Sequence, residues 1–102
     1  MNDYILLMHN DVPEGQSRPP LEWAAYLTKL CEAGVFEGGS SIGGGVCIRK
    51  AGVPRYVSSH IAGYIRVRAA DLDAARALVV GNPVYEEGGT VEIRELPTDN
   101  EH

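Results

Sequence analysis

Residues 61–96 constrain the fold of this chain more than any other stretch, because they read as strand, helix and strand in succession. Ile61, Gly63, Ile65 and Val67 alternate with Ala62, Tyr64, Arg66 and Arg68. A period of two sends alternate residues to opposite faces of a strand, here one apolar and one charged. Asp71 stands where a helix N-cap belongs, its carboxylate able to accept from amides of the first turn. Leu72, Ala75, Leu78 and Val79 recur at helical spacing and predict a helix over 71–80 with one apolar stripe. Gly81 suits the left-handed residue that ends a helix, and Pro83 is expected to prevent its resumption. Gly88-Gly89 permits a turn, after which Val91 and Ile93 alternate with Glu92 and Arg94 in a last strand.

The earlier part of the chain repeats the plan less regularly. A first strand is expected over 3–9, with Ile5, Leu7 and His9 on one face and Tyr4, Leu6 and Met8 on the other. Both sets are largely apolar, which marks a central strand sheltered on both sides. A polar loop follows, and the Pro19-Pro20 pair suits the first turn of a helix over 21–33. Trp23, Leu27, Leu30 and Cys31 share its stripe and Gly34 stops it. Glycines at 38, 39, 43, 44 and 45 then break any regular pattern. They precede a strand and lack the lysine and hydroxyl residue of a phosphate loop, so they read as bulges or a hairpin. A strand is expected around Val46 and Ile48, ending near Lys50. The order is β-α-β-β-α-β in a single domain over 1–102. That order gives a ferredoxin-like α+β fold, a four-stranded antiparallel sheet with two helices on one face.

Composition narrows the function classes. The net charge of −5 argues against a nucleic-acid binder. Nothing approaches the ~18 apolar residues of a membrane span. The opening MNDYILLMHND lacks a basic start and a small-residue cleavage site, so it is expected to be a strand of a cytoplasmic protein. Cys31 and Cys47 form no C-x-x-C pair and are expected to be half-buried thiols. His9 and His60 fall at neighbouring strand ends and read first as ordinary hydrogen-bonded histidines; an acid-base pair is the alternative, and no third ligand is evident for a metal. Neither metal nor cofactor is expected. Tyr64, Arg66, Arg68, Glu92 and Arg94 make one sheet face unusually charged. Two helices cover only one face, and Leu6 and Met8 are expected beside the charged rows. A second copy of the sheet, related by a two-fold axis, would cover them and pair arginines with glutamates.

In order and spacing the chain resembles the YCII-related, or DGPF-domain, family. The residues that carry the resemblance are YILLMHND, the W-x-x-Y-L-x-x-L helix at Trp23, Tyr26, Leu27 and Leu30, the turn AGVFEGG, then GYIRVRAADLDAARAL and GGTVEIREL. The resemblance implies a dimeric α+β barrel. It also implies a site built from a histidine opening the first helix and an aspartate before a Pro-Tyr pair. Here those places read Arg18-Pro19-Pro20-Leu21-Glu22 and Asn82-Pro83-Val84-Tyr85, and asparagine cannot act as a general base. RYVSSH stands where the D-G-P-F segment would be. The expectation is therefore a homodimer that binds a small molecule, through His9, Arg18, Glu22, Asn82 and Tyr85, or serves as an accessory domain. A small lyase or isomerase of dehydrochlorinase type, with His9 or His60 as base, is the alternative.

Overall fold

The computed structural model describes residues 1–13 and 20–97; Arg18 and the polar end 98–102 lie outside them. In chain order the elements are β1 (Asn2–His9), α1 (Pro20–Glu32), β2 (Phe36–Ser41), β3 (Ile61–Ala69), α2 (Leu72–Ala77), α3 (Pro83–Glu86) and β4 (Val91–Leu96). The strands form one open antiparallel sheet in the order β2-β3-β1-β4. The architecture is α+β.

β1 is central because it pairs on both sides. Tyr4, Leu6 and Met8 are buried on its helix-covered face with Ile65, Val67 and Ala69 of β3. Register corrects one expectation here. Residues directly opposite one another share a face. Leu6 stands opposite Ile65 and Ile93, in the core. Ile5 stands opposite Arg66 and Arg94, and Leu7 opposite Tyr64 and Glu92. The apolar pair among the charged rows is thus Ile5 and Leu7, not Leu6 and Met8.

The helices close the other face. Tyr26 and Leu30 of α1 are buried in the core, with Trp23 and Leu27 packed against it. The Tyr26 hydroxyl donates to the Leu78 carbonyl at 2.7 Å, and Lys29 Nζ donates to the Val80 carbonyl at 2.9 Å. These two bonds tie α1 to the end of α2. Burial raises the pKa of the Tyr26 phenol, so it stays a donor. Asp71 caps α2 as expected, its Oδ1 accepting from Ala74 N at 2.8 Å. Gly81 adopts φ 94°, the left-handed conformation, but α2 ends earlier than the expected residue 80, at Ala77 with Leu78 as its C-cap, so Gly81 closes the turn that follows and not the helix. Pro83 does not stop the chain from turning helical again. It opens α3, because proline's fixed φ suits a first helical position and its missing N–H would be unpaired there anyway. Among the described residues there are thus three helices, not two, and α3 packs against α1.

The glycine-rich region differs most from expectation. β2 runs through Gly38 and Gly39, with a bulge between Phe36 and Gly38 where Gly38 has φ 117°. No strand forms around Val46 and Ile48. Residues 42–60 hold neither helix nor strand, and all are exposed. The five glycines supply no side chains to pack, so the β-like pattern after them has no sheet to join. Cys31 and Cys47 are both exposed rather than half-buried.

Candidate functional site

The sheet face away from the helices carries the chemistry. His9 ends β1 on this face, and its Nε2 lies 2.9 Å from Glu92 Oε1 of β4. The Nε2–H tautomer donates to that carboxylate, which leaves the lone pair on Nδ1. Nδ1 has no hydrogen-bond partner among the described residues. His60 stands edge-on to His9, ring centroids 5.1 Å apart and planes at 77°. The backbone fixes this approach, since Asn10 N donates to the His60 carbonyl at 2.8 Å and Asn10 Nδ2 to the Ser59 carbonyl at 2.7 Å.

Charge around the pair is locally balanced. Arg94 Nη1 reaches Glu92 Oε2 at 3.2 Å. The hydrogen bond from His9, and then that from Arg94, holds the Glu92 carboxyl below its ordinary range. Asp11 accepts from Thr90 Oγ1 at 2.6 Å and from Thr90 N at 2.8 Å, fastening the loop after β1 to the start of β4. These bonds, led by the Thr90 hydroxyl, also hold Asp11 below the usual carboxylate range. Further along the face, Arg68 Nε lies between Glu37 at 3.5 Å and Asp3 at 3.9 Å. Arg66 makes no ion pair among the described residues.

These shifts have a signed consequence. A carboxylate with a depressed folded pKa stabilises the fold above its unfolded pKa, and that contribution is lost as pH falls through the folded pKa. The unfolded values are near 4.5 for Glu92 and 3.8 for Asp11. Thermal midpoints should hold steady at neutral pH and fall progressively once the pH drops below about 4.5. Glu92→Gln should flatten the upper part of that decline. Parallel pH profiles of the two proteins would refute the assignment.

The four expected site residues that are described are not gathered into one cluster. Arg18 lies outside the described residues. Glu22 is exposed in the first turn of α1. Asn82 is completely buried on the helix side of the sheet, whereas His9 faces the opposite side. Asn82 Oδ1 accepts from Val84 N at 2.9 Å and Tyr85 N at 3.3 Å, capping α3. Its Nδ2 makes no bond of good geometry, although it stands near enough to the Tyr26 hydroxyl to oppose the rise in that phenol's pKa. Tyr85 is half-exposed and lines a shallow hollow of about 490 Å³ with Asp73, Arg76, Val80 and Ile93. The loop after β1 does meet the α3 turn, through Val12 and Pro13 against Gly89 and Gly88.

Glu92 as a partner for His9 was missed at the sequence level. The alternation of β4 puts Glu92 on the charged face, but only the pairing of Leu7 with Glu92 brings it within reach of His9. A second hollow, of about 340 Å³, lies on the helix side between α1 and the β2–β3 edge. Trp23, Leu27, Phe36, Met8 and Ile65 form its apolar walls. Among the described residues no three His, Cys, Asp or Glu side chains converge as metal ligands, and no helix is long and apolar enough to cross a membrane. The chain matches no protein-family model, and no curated protein is detectably similar to it.

Proposed function

We propose that this protein is a homodimeric small-molecule-binding domain of the YCII-related, dimeric α+β barrel type, and that its ligand sits at the His9–Glu92 pair. The strand order β2-β3-β1-β4, with helices on one side only, supports a ferredoxin-like classification. The uncovered face, with Ile5 and Leu7 set among arginines and carboxylates, supports sheet-to-sheet pairing of two copies. The observation that carries the ligand reading is His9 itself: a ring oriented by Glu92 that keeps one nitrogen for a visitor, with His60 beside it. Leu7 and Tyr64 offer an apolar bed next to this polar end.

The second reading, a small lyase or isomerase, draws on the same geometry. A carboxylate that fixes the histidine tautomer and leaves a lone pair toward substrate is the arrangement of a general base. One set of measurements separates the two. The imidazole resonances of His9 and His60 are followed while small carboxylic acids, phenols and carbonyl compounds are titrated in D₂O. Saturable shifts that vanish in His9→Ala support binding. Exchange of a substrate's α-proton, lost in His9→Gln, supports the enzyme. The absence of any shift across the set would overturn both. Light scattering should report about twice the 11.0 kDa chain mass, and Arg66→Glu should weaken that dimer. A wild-type monomer would refute the sheet-to-sheet pairing.

A further inference from the structure

The connection between β2 and β3 is the least explained part of the molecule. It runs from residue 42 to residue 60, all of it exposed and none of it in a helix or strand. Structureless loops this long are uncommon in compact domains unless they have a task. Its apolar side chains are bare: Val46, Ile48, Val53 and Tyr56 are 84%, 88%, 85% and 99% exposed. The radius of gyration, 15.4 Å, exceeds the ~13 Å of a compact chain this long.

Charge is divided just as unevenly. The loop holds three of the nine basic residues, Arg49, Lys50 and Arg55, and none of the fourteen acidic ones. It therefore carries +3, while the rest of a chain of net charge −5 carries −8. The apolar hollow beside α1 shows the complementary deficit. Its walls are Trp23, Leu27, Phe36, Met8 and Ile65, and nothing among the described residues fills it.

We propose that residues 42–60 form an arm that docks on a second copy of this chain, placing Val46, Ile48 and Tyr56 in the partner's hollow between α1 and the β2–β3 edge. Aliphatic and aromatic side chains match the lining of the hollow. The cationic arm is drawn to the acidic body of the other copy, and this attraction steers docking and weakens with salt. The inference rests on the reading that two copies associate, but not on which sheet face they share.

Trp23 is the single tryptophan and lines the hollow, so it reports docking directly. In the wild type, light scattering and Trp23 fluorescence are followed together on dilution. The expected result is a blue-shifted emission, several-fold less quenched by acrylamide, that reverts as the dimer dissociates. The triple variant Val46→Ser/Ile48→Ser/Tyr56→Ser changes only exposed residues, so circular dichroism should be unaltered. It should show freely quenched Trp23 at every concentration and a dimer at least tenfold weaker. Arg49→Glu/Lys50→Glu/Arg55→Glu should do the same and reverse the salt dependence, because an anionic arm is repelled by the acidic body and salt screens that repulsion. Wild-type mass and quenching in the triple variant would overturn the proposal, as would Trp23 protection that is independent of concentration. A mass increase seen only on adding RNA or anionic vesicles would also overturn it. Arg66→Glu separates the two ideas: a dimer lost in Arg66→Glu but kept in the triple variant sinks the arm and spares sheet-to-sheet pairing.

Discussion

Asn82→Ala should destabilise the fold by about 2 kcal/mol, combining a lost cap with part-buried amides left unpaired. Asn82 is fully buried, and its Oδ1 serves the Val84 and Tyr85 amides at the start of α3. Alanine removes that acceptor and leaves a small void beside Tyr26. For a chain of this length the melting temperature should drop by roughly 10 °C or more. The secondary consequence is local. α3 has only four residues, so without its cap it should fray, and the Val84 and Tyr85 amides should exchange faster with solvent. The His9 resonances, on the opposite face of the sheet, should move little. A melting temperature within about 2 °C of wild type would show that the cap is dispensable. A large perturbation at His9 would link Asn82 to the site after all.

Gly39→Ala should cost about 1–3 kcal/mol, by forcing apart two strands already at closest approach. A Cβ built there would stand 2.5 Å from the Tyr64 carbonyl oxygen and 3.1 Å from Ile65 Cα. Both are backbone atoms of β3, which cannot rotate away as a side-chain tip can. β2 is an edge strand whose ladder hydrogen bonds run to β3 alone, so it should peel rather than deform the sheet. Loss of protection at the Ile42 amide, which donates to the Ala62 carbonyl at 2.9 Å, would report the peeling. Gly43→Ala is the control: no atom lies within 4 Å of the place its Cβ would take and its φ is not positive, so it should be neutral. Equal stability of the two variants would refute the close-approach argument.

Much of the architecture was readable from local pattern. The alternation in β3 and β4, the Asp71 cap and the left-handed Gly81 follow from short-range stereochemistry that tertiary context does not override. The central place of β1 was visible in its two apolar faces. All but one of the misreadings were non-local. Val46, Cys47, Ile48 and Arg49 look like a strand, but a strand needs a partner, and none of the four strands pairs with them. Pro83 has the local chemistry both to end a helix and to begin one, and the cap from Asn82 decides for the second.

The candidate site divides along the same line. Sequence alone placed His9 and His60 at neighbouring strand ends and put Glu92 on the charged face. Whether those side chains touch depends on register, because a shift of one residue would send Glu92 to the core side. The pairing of Leu7 with both Tyr64 and Glu92 set that register and made a hydrogen-bonded pair of residues 83 positions apart. Asn82 and Tyr85 looked like site residues by position, and burial showed Asn82 to be a helix cap. Periodicity and capping chemistry determined which segments become strands and helices, since those are properties of neighbours along the chain. Only the tertiary structure decided which polar groups meet, since that depends on the free energy of packing the whole sheet against its helices.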